Sequence, residues 1–251
     1  MRLFGFLIVF VTLFACAAPT PHMQDGKPVS HEQFTRLLQE YVTDEGKVDY
    51  QRLKKNRAQL TEYLDLLRST APNDSWSKEE EIAYWINVYN AFTIDLILEH
   101  YPVKSIKDIG STIQIPFVNT PWDIKFIKIG GEEYDLNNVE HGILRKKWKE
   151  PGIHFAVNCA SKSCPKLRRE AYTADKLYEQ FDEQARIFIN SDFHNDITPR
   201  KARLSKYFDW YAGDFKDVMP IREYINQYAD VKLTEDTDIS YKDYNWELNE
   251  Q

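Results

Sequence analysis

Only three cysteines, Cys16, Cys159 and Cys164, occur in the 251 residues, so thiol chemistry is confined to the amino-terminal leader and one later loop. Positive charge is also short. A net charge of -7, with no basic stripe interleaved with aromatics, excludes nonspecific nucleic-acid binding. Outside Leu3 to Phe14 no apolar run approaches the roughly 20 residues of a membrane-spanning helix. Internal repeats, low-complexity tracts and a second-domain boundary are missing, which leaves one domain. No second histidine cluster and no familiar zinc spacing is present, so neither a metal nor another cofactor is expected.

The amino terminus supplies an address. Met1-Arg2 is a short positive start, and Leu3 to Phe14 has the length of a signal-peptide core. The run ends at Leu13-Phe14-Ala15-Cys16, which resembles a lipobox, although Phe14 is large for its position. An ordinary secretory signal cut near Ala15 to Ala18 is the alternative. Ala17 stands where sorted lipoproteins carry an aspartate as the inner-membrane retention mark, which favours the outer membrane, facing the periplasm. The expected layout is a lipoprotein signal with its lipidation cysteine over 1–16, a proline-containing tether over 17–29, and a domain over 30–251. The membrane would then be one partner, reached through lipid on Cys16.

Within the domain, Phe34, Leu37, Leu38 and Tyr41 recur at helical spacing, and Leu53 to Leu67 predicts a second helix from about residue 51 to 68. Ser77 and Glu80 have capping-box spacing ahead of a stripe running from Ile82 to Ile97, so broad that the helix must be largely buried. Alternation around Gly130-Gly131 predicts a hairpin over 124–136. Asn137 and Glu140 again have capping-box spacing and open a helix through Lys147. Residues 153–158 read as a strand; helices follow near 173–190 and 221–228, with a hairpin near 196–204 between them. The fold class is α+β: a single domain with N-terminal helices packed on a small, mostly antiparallel sheet. Six Trp and fifteen Tyr predict wide aromatic packing, with a ligand groove as the less common reason.

The chemistry-bearing segment is His154 to Pro165. On a strand, His154, Ala156 and Asn158 would share a polar face with a gap at Ala156. With Cys16 lipidated, Cys159 and Cys164 are the only thiols left. They point to a disulfide, to a thiolate nucleophile paired with an imidazole, or, least well, to a metal held with His154. His141 and Arg145 lie one helical turn apart and suit an anionic ligand group, unless they merely form a solvated face. Asn87 and Asn90, buried among apolar residues, are structural clamps or ligand contacts.

Trp85 to Ala91, Glu140 to Arg145, His154 to Cys159 with Ser163-Cys164-Pro165, Trp210-Tyr211 with Asp214-Phe215, and Tyr244 to Asn249 together resemble the domain-of-unknown-function family numbered 547. The resemblance covers roughly residues 48–249, with Asn245 where Asp is more usual. It implies export for bacterial members and no established activity. Plant members often carry Ser in place of Cys164, which speaks against an obligatory disulfide and for Cys159 as the shared nucleophile. A buried helix followed by strands bearing a histidine is also similar to papain- and transglutaminase-like folds, but those place the cysteine on the helix. The expectation is a thiol-dependent hydrolase or acyl transferase. Cys159 would attack, His154 or His141 would be the base, and Asn158 would orient. Arg145, Asn87, Asn90, Ser163 and Cys164 would contact a small-molecule or peptide substrate. The alternative is a non-catalytic ligand- or protein-binding module with a Cys159–Cys164 disulfide.

Overall fold

A computed structural model of the protein describes residues 26–110 and 120–251. The signal segment, Cys16 and most of the tether lie outside the described residues.

Helix α1 (Glu32–Tyr41) buries Phe34, Leu37, Leu38 and Tyr41 on one face. The single helix expected over 51–68 is two, α2 (Tyr50–Lys55) and α3 (Ala58–Ser69). Asn56 causes the break: its side-chain amide donates to the Arg52 carbonyl at 3.1 Å and takes the place of a continuing helical bond. On α3, Leu60, Tyr63, Leu64 and Leu67 turn inward, and Tyr63 stacks on Phe34 of α1 at 4.8 Å.

Helix α4 (Lys78–His100) is the axis of the fold. The Ser77 hydroxyl accepts from the Glu80 amide at 3.2 Å while the Glu80 carboxylate accepts from the Ser77 amide at 2.7 Å, as the spacing predicts. Every residue from Ile82 to Leu98 is buried. Each large apolar side chain so removed from water contributes on the order of 1.5–3 kcal/mol, before the entropy of ordering it.

Strands β1 (Ile127–Ile129) and β2 (Glu132–Tyr134) pair antiparallel through Gly130 and Gly131, both at positive φ as a tight hairpin turn requires. The ladder is shorter than the alternation suggests, beginning at Ile127. Next comes a π-helical stretch (Asn138–Leu144) that runs into α5 (Arg145–Lys147). The expected Asn137–Glu140 capping box is absent. Asp135 and Asn138 form the reciprocal pair instead, at 2.6 and 3.2 Å, and Glu140 is buried for another purpose.

The expected strand at 153–158 is a single helical turn, α6 (Ile153–Ala156), closed by the Val157 amide on the Ile153 carbonyl. Its alternation is uninformative because protein surrounds it: Ile153 joins one hydrophobic cluster and Phe155 another. The likeness to papain- and transglutaminase-like folds gains no support, since His154 stands on this turn and on no strand. The second cluster gathers α7 (Leu177–Ile189), the hairpin β3 (Asp196–Ile197) and β4 (Lys201–Leu204), α8 (Tyr207–Trp210), α9 (Ala212–Lys216) and α10 (Ile221–Tyr228). Strand β5 (Asp238–Tyr241) joins β4 in parallel, so the small sheets are antiparallel but for this pair. No helix among the described residues is long and apolar enough to cross a membrane.

Candidate functional site

The loop from Val157 to Lys166 is held from three sides. Asn90 of α4 acts as a substitute strand: its amide nitrogen donates to the Ala156 carbonyl at 2.9 Å and its oxygen accepts from the Asn158 amide at 2.8 Å. Asn87 does the same one turn earlier for Tyr172, at 2.8 and 3.0 Å. Both asparagines are buried, and both hold backbone. Asn158 closes the loop on itself, donating to the Pro165 carbonyl and accepting from the Ala160 amide. The third side is the segment 244–249, which returns alongside: Lys162 and Ser163 amides donate to the Glu247 and Asn245 carbonyls, and Asn249 donates to the Ala160 carbonyl. Ser163 is used here too, its hydroxyl accepting from the Asn245 amide at 2.9 Å. Ala160 sits at φ +59, a conformation costing a non-glycine residue about 1 kcal/mol, and this bonding sustains it.

Inside the loop the Cys159 and Cys164 sulfurs lie 3.0 Å apart and are unbonded, both buried. The disulfide is therefore not present; the pair is a dithiol. Cys159 Sγ also has the Ser161 hydroxyl at 3.2 Å and the Tyr244 hydroxyl at 3.3 Å, oxygens that are 2.8 Å from each other. The Cys164 thiol first, then these two hydroxyls, hold the Cys159 thiol below its usual range against the opposing effect of burial. Burial, and then the charge forming on Cys159, push Cys164 well up, so a proton shared by the two stays on Cys164. Tyr244 is itself kept protonated by burial and remains a donor.

Cys159 faces a cleft of about 230 Å³, walled by Tyr89, Trp122, Trp210, Tyr244 and Trp246, with His141 at its edge. Tyr244 and Trp246 rings lie 4.5 Å apart, and Trp210 is 43 % exposed at the mouth. Part of the aromatic content thus builds a groove. Cys164 borders a different and larger cavity, about 620 Å³, with Asn158, Ser161, Phe188 and His194.

His141 and Arg145 do meet, the guanidinium Nη1 lying 2.7 Å from His141 Nδ1. Arg145 also grips Asp214 of α9 with two bonds, 2.6 and 2.9 Å. It is therefore engaged internally and only 26 % exposed. His154 lies on the far side of Asp214, its Nε2 2.9 Å from Oδ2 and its ring stacked 4.0 Å from Tyr211. Burial lowers the His154 pKa, and its Nδ1 has no partner. Hydrogen bonds from His154 and then Arg145 hold the Asp214 carboxyl well below the usual carboxylate range, against the opposing effect of its partial burial. Tyr211 donates to buried Glu140 at 2.7 Å.

The structure thus brings His141 to the Cys159 cleft and places His154 behind it, among α6, α8 and α9. Among the described residues no hydrogen bond joins either imidazole to Cys159, and no group of His, Cys, Asp or Glu converges as a metal site. Sequence reasoning missed Ser161, Tyr207, Glu140, Asp214 and Tyr244 as site residues. Three of them lie about fifty to ninety residues from the loop, beyond the reach of any spacing rule. For Asp214 and Tyr244 the one signal is membership of the blocks Trp210 to Phe215 and Tyr244 to Asn249; Tyr207 lies outside both.

No curated protein and no solved structure matches the chain. The family resemblance has firmer ground: residues 73–189 match the model of the family described as "Protein of unknown function, DUF547", and over that stretch, which holds α4, His141, Arg145 and the whole cysteine loop, this chain resembles that family.

Proposed function

We propose that the aromatic cleft is the site of a thiol-dependent acyl transfer or hydrolysis with Cys159 as nucleophile. The observation that carries this reading is a single one: a sulfur with two hydroxyls and a second thiol within hydrogen-bond reach, its pKa lowered, at the wall of a cleft that also holds an imidazole. Such a thiol ionises without a dedicated base. Its electron pair forms a bond to a substrate carbonyl carbon, and the displaced π pair settles on the carbonyl oxygen. Collapse of that adduct expels an alcohol or amine, which takes a proton from water at the open mouth. Water then cleaves the thioester and regenerates the thiolate, or a second acceptor takes the acyl group. The aromatic walls suit a substrate with an apolar or ring-shaped flank.

The leader, Leu3 to Cys16, supports placing this site in the cell envelope, lipid-anchored at the outer membrane. Loss of lipid labelling in Cys16→Ser tests the anchor independently.

A second reading, a non-catalytic module binding a small molecule or peptide in the same cleft, is favoured by the 7 % exposure of Cys159 and by the internal use of Asn87, Asn90, Ser163 and Arg145. One experiment separates the two. The folded protein is treated with iodoacetamide or p-nitrophenyl acetate near pH 7.5, and the adduct is mapped. Modification of Cys159 well before Cys164, abolished in Cys159→Ala, is the expected result. Native protein that resists both reagents, or reacts equally at both sulfurs, refutes the catalytic reading.

A further inference from the structure

Arg145 links Asp214 to His141 at the cleft, and its chemistry fixes what it does there. A guanidinium carries five N–H donors and no acceptor. The 2.7 Å contact between Arg145 Nη1 and His141 Nδ1 therefore has one sense: Nη1 donates and Nδ1 accepts. A neutral imidazole that accepts at Nδ1 carries its proton on Nε2. Arg145 cannot turn away freely, because Nε and Nη2 are both bonded to Asp214. Its guanidinium also lies 4.9 Å from the centre of the Tyr211 ring, which closes its face. Asp214 is fixed in turn by His154, behind it, at 2.9 Å.

We propose that Arg145 and Asp214 are positioning residues that hold His141 as the Nε2–H tautomer, so that the imidazole meets a bound carbonyl as a hydrogen-bond donor and not as a base. The tautomer stands on the hydrogen bonds alone; its role toward a carbonyl rests on the thiol reading of the cleft. The arrangement explains an otherwise odd pairing, a guanidinium placed against a histidine that a base-assisted mechanism would want free. It also assigns the two imidazoles different work. His141 addresses the cleft, and His154 supports the carboxylate that supports Arg145. A neutral N–H aimed at a developing oxyanion is a known electrostatic device, worth about 10²–10³ in rate where one such donor is removed.

The test uses the full protein with ¹⁵N-labelled histidine, observed at pH 8.5 through two-bond proton–nitrogen correlations, the His141→Gln spectrum assigning the signal. The expected spectrum shows His141 Nδ1 as a bare ring nitrogen and Nε2 as a protonated one. A protonated Nδ1 overturns the proposal. In Asp214→Asn and Arg145→Lys, the His141 signal should move toward a mixture of tautomers; an unchanged signal in both overturns the positioning role. With p-nitrophenyl acetate, kcat for Cys159 acylation should fall about tenfold to a hundredfold in these variants while KM changes less than twofold. A loss confined to KM speaks against donation to the carbonyl. If the native protein takes no acyl group at all, the thiol reading fails by itself, and the nitrogen spectrum still decides the tautomer.

Discussion

Acid should unfold this protein from an unusually high pH, because neutral imidazoles are packed into it, His31 buried and His194 half-buried. His31 sits at the start of α1 with Nδ1 2.7 Å from the Tyr63 hydroxyl, and burial pushes its pKa from 6.5 down to about 4. His194, between Ser191 and the Cys164 carbonyl, is likewise lowered by burial to about 4. In the unfolded chain both protonate near 6.5, whereas in the folded protein they resist until about 4. The stability they contribute is thus fully present above pH 6.5 and is lost as pH falls from there toward 4. Integrated between pH 7.5 and 4.5, a shift of this size removes about 2.5 kcal/mol per histidine, or roughly 5 kcal/mol for the two. His154, lowered in the same direction, adds to the loss. That is a third or more of the stability of an ordinary domain, about 5–15 kcal/mol. Urea unfolding at pH 7.5, 6.0, 5.0 and 4.5 reads the effect as a falling midpoint, most of it above about pH 5, where carboxylates begin to contribute. The double variant His31→Asn, His194→Gln keeps amide groups as hydrogen-bond partners and should flatten the curve. A midpoint constant from pH 7.5 to 4.5, or an equally steep fall in the double variant, would refute the reasoning.

Other expectations follow from single contacts. Asn90→Ala strands a buried amide and a buried carbonyl at the entrance to the cysteine loop and should cost about 2–4 kcal/mol in denaturant unfolding; Asn87→Ala should behave alike. Gly152→Ala drives a methyl into the Phe181 ring, and a loss of about 1–3 kcal/mol is expected by thermal melting. Tyr244→Phe removes a hydroxyl 3.3 Å from Cys159 Sγ, so the pH at which Cys159 alkylates at half its maximal rate should rise. No rise would mean that the hydroxyl leaves the thiolate unsupported.

The helical half of the fold is legible because its signals are local. The Ser77–Glu80 box and the stripe of α4 are read from neighbours in sequence, and the structure agrees to within a residue. The hairpin at Gly130-Gly131 is legible for the same reason. Alternation fails at 153–158, where a segment enclosed on all sides needs no polar face and turns into a helix under tertiary packing. The Asn137–Glu140 spacing misleads because Tyr211, some seventy residues on, claims the Glu140 carboxylate that a cap would use. Composition and spacing locate the cysteine loop and bring His141 to Arg145. They cannot tell that Asp214 will occupy Arg145, or that His154 will stand behind the cleft, since both facts are made by α9 packing back onto α6.

The bonding between 160–163 and 245–249 has a consequence for biogenesis. The cysteine loop acquires its shape, and Cys159 its Tyr244 hydroxyl, only when a stretch made some eighty residues later has been delivered. A nascent or prematurely released polypeptide ending before residue 244 would carry both thiols but lack the clasp that tunes one of them. Reactivity would then be withheld until synthesis has passed this point, a form of timing written into chain connectivity.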